Sequence, residues 1–588
     1  MACIASLRKK LPRDTRIIIV DDGSEDTLLI DALAKTVVSA NFKVLRHEQN
    51  QGFPAAANTG LKFSASGETR DVLLLNCDTL MPPGAVSRLA QAAYSAGDIG
   101  SITPLTNDGT ILSYPHIDRD NDVPDLSQTT RLDHACQAAN QDALIDIPTA
   151  VGFCMYMRHD CLAEVGGFRA DVFAQGYGEE NDWCLRASHL GWRHVAATGV
   201  FVGHVGGQSF GAVKPYLIAR NMRMLNGLHP GYDRLIADFV ARDTLAPSRR
   251  AVDIVRWREQ RNASGAVLLV THDRGGGVGL HVRTRCAAIR NEGMRPIVIR
   301  PKVTVLSCAV MGEDEDEFPN LVFTIPTELD DLAALLSEDR PLSVELHHSI
   351  GQPAEIPRLA HRLGIPLDVY IHDYALWCPR VTLVSYGDRY CGEPTRIEDC
   401  IACVADLGER IHDTIGVADL RQRSASLLRA ARAVIAPSQD TARRIRRHFP
   451  FAKLTVRPWE RDADLMDAAE PPSPAILSAT GRARIVIPGA IGSDKGYDVV
   501  LACARDAARR DLPIEFIIVG HTLDDGRMLA TNRVFITGRY EEHEGPALVR
   551  AQNASFGFVP SIWPETWCYA LSLLWRAGLR AAAFEIGA

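Results

Sequence analysis

Short apolar runs rich in β-branched residues recur along the whole chain. Each is closed by a polar or glycine-containing turn and followed by a segment with helical spacing: "TRIIIVDDGS", "DVLLLNCDT", "GAVLLVTHD", "RPIVIRP", "LDVYIHDY", "RAVIAPS", "RIVIPGA" and "IEFIIVG". Runs this brief suit strands better than helices, and runs apolar on both faces suit strands covered on both faces. The pattern therefore predicts an α/β fold built on parallel sheets between layers of helices. Such sheets take ligands at the carboxyl ends of their strands, and the chemically distinctive residues here stand at those ends. At 588 residues the chain is too long for one core, so several domains are expected.

Two breaks in the pattern suggest where they divide. "APSRRAVDIVRWREQRNASG", 246–265, is polar and Arg-rich and separates two patterned halves; it reads as a linker, in part helical. "AAEPPSPAILSATGRA" interrupts the second half, with a boundary near 455–480. The expected domains are 1–245, a linker at 246–264, 265–455 and 456–588. A net charge of −8 argues against a broad nucleic-acid surface. No apolar run approaches the ~18 residues of a membrane helix, so no transmembrane segment is expected. The start lacks a signal peptide's long apolar stretch. A cytoplasmic chain is expected, with its 14 cysteines as thiols or metal ligands rather than disulfides.

Three motifs of the first half can carry chemistry. "IIIVDDGS" ends a strand with Asp21 and Asp22, whose carboxylates can accept hydrogen bonds from a base or ribose; an Asp-Gly turn explains them equally well. "VLLLNCDT" places Asn76 and Asp78 two apart, on one face if the segment is extended, and such oxygen ligands suit Mg²⁺ or Mn²⁺. "GYGEENDWCLRASHLGW" sets Glu179, Glu180 and Asp182 at the mouth of a helix. The helix dipole stabilises acids there, but three exceed what capping needs. Glu179 and Asp182 share a face, which leaves Glu180 directed elsewhere, where a carboxylate beside a cleft could take a proton from an attacking hydroxyl. His204 follows in "FVGHVGGQSFG".

In this order, with "HEQNQGFPAAANTG" and "GFCMYMRHDCLAEVGGF" between them, these motifs resemble the family 2 glycosyltransferases of GT-A fold over roughly residues 1–240, nearest to rhamnosyltransferase-like members. The resemblance implies inverting sugar transfer from a nucleoside-diphosphate donor, in bacterial surface polysaccharide (O-antigen-like) synthesis. The acceptor would be a saccharide or lipid-linked saccharide, and the seat cytoplasmic or peripheral at the inner membrane. It implies that Asp78 holds the divalent metal, Mg²⁺ or Mn²⁺, with Asn76 nearby and His204 a further ligand. Glu180 would be the general base, with Glu179 the alternative, and Asp21 or Asp22 would contact the nucleoside. The family's usual earlier strand has no counterpart here, which would leave a sheet edge open. The rival reading is a catalytically impaired nucleotide-binding or interaction fragment of a larger two-module enzyme.

In the second half, "AVLLVTHDRGGGVGLHVRTRCAAI" is strand, glycine loop and helix; Gly275, Gly276, Gly277 and Gly279 would let backbone N–H groups approach a phosphate. No acid ends the next strand, "IVIRPKV", which disfavours a dinucleotide cofactor. "YIHDYALWCPR", "AVIAPSQDTA", "GAIGSDKGYD" and "VPSIWPETWCYAL" resemble the family 4 glycosyltransferases of GT-B fold, two facing Rossmann-like domains, over roughly 265–588, with the last domain incomplete. The resemblance implies retaining, metal-independent transfer, with His372 near the reacting sugar, Lys495 on the diphosphate and Glu565 on the donor. Leu573 stands where that family's second glutamate falls. Between the motifs, Cys378, Cys391, Cys400 and Cys403 are spaced C-x12-C-x8-C-x2-C. They read either as ligands of a tetrahedral structural Zn²⁺ or as buried thiols packed as small apolar residues.

Overall fold

The computed structural model describes residues 2–7, 11–12, 14–36, 42–65, 69–206, 214–261, 264–302, 307–312, 316–411, 415–460 and 481–587. The chain forms two compact units: Met1–Arg261 with Glu315–Leu321, and Asn262–Asp314 with Val322–Ala588. Both are mixed α/β.

In the first unit, Ile17–Asp21 and Phe42–Arg46 pair in parallel as a two-stranded sheet. A separate five-stranded sheet runs in the order Val72–Leu75, Cys154–Met157, Ile99–Leu105, Arg193–Phe201, Leu144–Ile147. The expectation of parallel sheets fails here: Ile99–Leu105 and Arg193–Phe201 are parallel, and the other three pairings are antiparallel. Both faces are nonetheless covered, and that is the property the apolar runs encode. Cys154 and Tyr156 join one buried cluster with Leu89 and Ile102, while Met155 and Met157 join another with Trp183 and Cys184. Residues two apart share a face, so continuous apolarity reports two buried faces and not strand direction.

Residues 246–259, read as linker, form the helix Ala246–Glu259 within the first unit. Its buried residues are Ser248, Arg249, Val252, Asp253 and Trp257. Two of those five are charged and one is a serine, which hid the stripe from a hydropathy reading. Asp253 accepts from Tyr114 Oη (2.6 Å) and from Asn320 N (2.9 Å) and Nδ2 (3.0 Å), and Arg249 pairs with Asp243. Trp257 is fully buried, edge-on to Phe318 at 5.3 Å. Trp257→Ala is expected to destabilise the first unit by about 3 kcal/mol through the lost burial and the cavity left, read as a shifted first transition in urea unfolding; a linker residue would leave that transition where it is.

Among the described residues the second unit holds two large sheets and a small two-stranded one, Val384–Ser385 with Arg389–Tyr390. The larger runs Val322–Thr324, Ser307–Met311, Arg295–Pro301, Ala266–Val270, Pro341–Leu346, Leu367–Tyr370, Ala433–Ala436, Leu454–Val456. It is parallel except where Ser307–Met311 meets its two neighbours. The smaller is all parallel: Val534–Ile536, Ile514–Thr522, Ala483–Ile491, Phe556–Val559, Ala581–Ala583. Helices cover it on both faces: Ile485 and Ile487 meet Val500 and Leu501, and Val486 meets Val549 and Leu574. The break expected near 455–480 falls largely on 461–480, outside the described residues. No described helix is long and apolar enough to cross a membrane.

Candidate functional site

In the first unit the structure joins Asp78 and His204 directly. The strand Gly203–His204 pairs antiparallel with Thr79–Leu80, so Thr79 lies opposite His204 and Val205 N donates to Asp78 O at 3.0 Å. The residues 76–78 form a turn, in which Thr79 N (3.3 Å) and Oγ1 (2.8 Å) donate to Asn76 O. They are therefore not extended, and the shared-face argument that tied Asn76 to Asp78 lapses. Asn76 is half-buried, with its backbone N–H on Phe153 O at 2.8 Å.

His204 is held from three sides. The Asn107 amide clamps its backbone, accepting from His204 N at 2.8 Å and donating to His204 O at 2.6 Å. Phe153 stacks on the imidazole, centroids 5.2 Å apart. Nδ1 lies 2.7 Å from the Asp108 carbonyl, which can only accept, so Nδ1 carries the proton. In the neutral ring Nε2 then presents a lone pair toward Asp78 Oδ1, 3.4 Å away. A lone pair and a carboxylate facing each other need a proton or a cation between them. Burial opposes a charged imidazole, but the Asp78 hydrogen bond and charge outweigh it and hold His204 above its ordinary pKa. Burial likewise opposes ionised Asp78, and His204 outweighs it, holding the carboxyl below its usual range. Neighbouring ligands of an octahedral Mg²⁺ or Mn²⁺ at about 2.1 Å lie about 3 Å apart, so this carboxylate–imidazole pair fits a divalent ion with little movement. Asn107, Asp108 and Phe153 are the supports the motif reading missed; only their pairing with His204 marks them.

The second element is the helix Glu179–His189, with acids in its first turn and Arg186 and His189 in its last, as the dipole favours. It is launched by Gly176, Tyr177 and Gly178, with φ of 123°, 73° and 101°. Glycine takes such angles freely; Tyr177 does so with strain of order 1–3 kcal/mol. Asp182 is fully buried and is a packing hub, accepting from Arg186 Nε (2.9 Å), Arg169 Nη1 (3.1 Å) and His229 Nε2 (2.8 Å). Asp182→Asn should destabilise the unit by about 2–3 kcal/mol by weakening three charge-assisted bonds at once, measured by urea titration at neutral pH.

Glu179 and Glu180 differ from Asp182: each has an Oε2 sealed from solvent with no hydrogen-bond partner. Burial pushes both carboxyls up, and the Glu180 charge pushes Glu179 further, well above its ordinary value. Backbone N–H groups at the helix start partly offset this for Glu180. Glu180 lies against Gly152, where a Cβ would meet its side chain at 3.7 Å. Gly152 adjoins the Phe153 that stacks on His204, so one loop meets Glu180 through one residue and His204 through the next.

Asp21 and Asp22 both have partners within the protein. Asp21 accepts from Ser24 N at 3.0 Å and faces Arg46 at 3.5 Å. Asp22 accepts from Gln51 N (2.9 Å) and Gly52 N (2.8 Å) and contacts His47 Nδ1 at 2.7 Å. Gly52 in turn meets Ala174 so closely that a Cβ would lie 2.2 Å from its carbonyl oxygen, which seats this loop beside the approach to Glu179.

In the second unit, Lys495 Nζ lies 2.6 Å from Glu565 Oε2; burial opposes the ammonium, and the carboxylate outweighs it and raises the lysine. Glu565 Oε1 is buried without a partner. Thr566 donates to the His372 carbonyl at 2.6 Å, so the structure brings these three sequence-selected residues together. Gly275 caps the helix Gly276–Asn291; a Cβ on Gly276 would meet open space, and one on Gly277 the Tyr569 ring at 3.2 Å. Leu573 packs in the apolar cluster of the smaller sheet. Cys378, Cys391, Cys400 and Cys403 are half-buried free thiols. Cys400 Sγ accepts from Arg421 at 3.3 Å, and Cys403 Sγ lies 3.4 Å from Ser385 Oγ. Among the described residues, the group whose metal-ligating atoms converge is a different one, His281, His347 and His372.

Residues 2–166 match the family model described as Glycosyl transferase family 2. No curated protein matches the chain. The crystal structure of Anabaena Alr3699/HepE in complex with UDP aligns with a TM-score of 0.35 at 14% identity, over 55% of this chain and 81% of that one. The crystal structure of GalNAc-T7 with UDP, GalNAc and Mn²⁺ aligns with a TM-score of 0.27 at 18% identity, over 34% of this chain and 40% of that one. Neither likeness is strong enough to argue from. The family match, on the residues that carry the two aspartates of the first loop and Asp78, supports a GT-A-like glycosyltransferase domain in the first unit, and the chain is a glycosyltransferase enzyme.

Proposed function

We propose that the first unit moves a sugar, with inversion, from a nucleoside-diphosphate donor to a saccharide acceptor, in a surface-polysaccharide pathway. The observation that carries this reading is the loop 152–153, which meets Glu180, whose buried Oε2 has no hydrogen-bond partner, at Gly152 and stacks on His204 of the Asp78–His204 pair at Phe153. Asp78 and His204 would hold Mg²⁺ or Mn²⁺. When bound, that ion would offset the charge gathering on the departing diphosphate. Glu180, its basicity raised by burial, accepts the proton of the acceptor hydroxyl as that oxygen attacks the anomeric carbon. Attack on the face opposite the diphosphate inverts the configuration. The Asn107 clamp and the Asp108 carbonyl fix the His204 ring, and Asp22 orders the 47–52 loop that borders the site.

A Mn²⁺-supplemented assay over a panel of nucleoside-diphosphate sugars, with the product anomer read by NMR, tests the reading. A β-linked product from an α-linked donor, or the converse, supports it. No turnover with any donor, by wild type or by Glu180→Gln, supports the impaired-fragment reading instead.

For the second unit we propose a GT-B-like arrangement in which Lys495 and Glu565 face the donor diphosphate and sugar, near the glycines 275–277. Their direct ion pair supports a shared site, since a diphosphate can take the lysine and release the carboxylate to sugar hydroxyls. The four cysteines are proposed as a separate structural thiolate site.

A further inference from the structure

Three histidines of the second unit come from distant parts of the chain. His281 lies on the helix Gly276–Asn291, His347 follows the strand Pro341–Leu346, and His372 lies two residues past the strand Leu367–Tyr370. The two strands are parallel neighbours, so the cluster sits at the carboxyl ends of a parallel sheet. Ring centroids are 5.3 Å apart for His281–His347, 5.2 Å for His281–His372 and 5.4 Å for His347–His372, close to an equilateral triangle. One nitrogen from each lies within 4.8 Å of the others.

Two further observations point to a ligand. His281 is 8% exposed, and neither of its ring nitrogens has a hydrogen-bond partner. A buried imidazole with both nitrogens idle is costly unless something occupies one of them. His347 Nδ1 and His372 Nε2 are 3.2 Å apart, while His347 Nε2 lies 3.5 Å from the buried Glu345 carboxylate. Glu345 is itself fixed by Arg285, at 2.8–3.0 Å. A carboxylate behind one nitrogen favours the proton there and leaves the lone pair on the other, the carboxylate–histidine–metal arrangement. Two nitrogens bound to one tetrahedral ion at 2.0–2.1 Å stand about 3.3 Å apart, which matches the observed 3.2 Å. Trp459 covers His281 at 4.1 Å and His372 at 5.2 Å, giving the cluster an apolar wall. A cavity of about 30 Å³ lined by His347 and His372 has room for a water-sized fourth ligand.

We propose that His281, His347 and His372 bind a divalent transition-metal ion of the zinc class through three imidazole nitrogens. This site is distinct from the first unit's Asp78–His204 pair and from the four cysteines. It gives His372 a ligand's role in place of the sugar contact that the motif implied.

The test uses Co²⁺ as the probe, on metal-stripped full-length chain in the Asp78→Asn background, which silences the first unit's proposed metal ligand. Titration with up to two equivalents is expected to add one set of tetrahedral ligand-field bands that carries no thiolate charge transfer, apart from any thiolate bands of the four cysteines. His281→Gln should weaken binding by more than the about 10–100-fold that loss of an outer-shell partner produces, and any thiolate bands should stay. Absorption unchanged by both His281→Gln and His347→Gln, or no binding at all, overturns the proposal. Should those variants fail to fold, X-ray absorption of the zinc-loaded parent decides: imidazole scattering from the bound ion supports the site, and a shell of sulfur alone overturns it.

Discussion

Glu180→Gln is expected to lower sugar transfer by about 1,000-fold, within the range that general base catalysis supplies, and to leave donor affinity within a few-fold of the parent. The amide keeps the shape and the contact with Gly152 but cannot accept the acceptor's proton. The fold should survive, because Oε2 has no partner to lose and the amide oxygen can still accept from the backbone N–H groups at the helix start. Steady-state rates with calorimetric donor binding separate the two terms; an equal loss of rate and affinity would assign Glu180 to binding instead. The pH profile adds a sign. The base must be ionised, and its carboxyl is raised by burial, with the like-charged Glu179 beside it in the chain. Activity is therefore full at high pH and falls as the pH drops through that raised value, above the ordinary glutamate range near 4.3. Glu179→Gln removes a like charge and should move this acid limb downward. A limb that stays in place would mean that another group sets it.

Asp78→Asn is expected to cost a comparable factor, about 1,000-fold, by a different route. Removing the carboxylate takes away the anionic ligand opposite His204 Nε2, and with it several kcal/mol of Lewis-acid stabilisation of the leaving diphosphate. Chelation should silence the parent and Mn²⁺ should restore it. The variant should stay silent at metal concentrations that saturate the parent. Equal rescue of both would remove Asp78 from the metal site. The two substitutions should also differ in kind: Glu180→Gln retains metal-dependent donor binding, and Asp78→Asn loses it.

The buried helix Ala246–Glu259 shows where reading the sequence stops. Hydropathy sees Arg249 and Asp253 as solvent residues and so sees a linker; burial of those charges becomes affordable only because Asp243, Tyr114 and Asn320 meet them. The turn at 76–78 is a second case. An Asn-x-Asp after a strand can continue the strand or reverse, and the two hydrogen bonds from Thr79 to Asn76 O decide for the reversal. The histidine cluster was illegible for a third reason: His372 stands out only within its own motif, and only the neighbouring of two strands and one helix brings His281 and His347 to it.

The chain's local pattern determined by itself that strands and helices alternate, that Gly178 precedes a helix rich in acid at its start, and that Asp22 ends a strand in a tight turn. These follow from side-chain periodicity, glycine's freedom at positive φ and the helix dipole, all of which act over a few residues. Only the tertiary structure decided that Asp78 faces His204, that Asp182 is a packing hub while Oε2 of Glu180 stays without a partner, and that the sheet of the first unit is largely antiparallel. Strand order and long-range partners depend on which apolar faces meet, and the same local pattern satisfies many such pairings equally well.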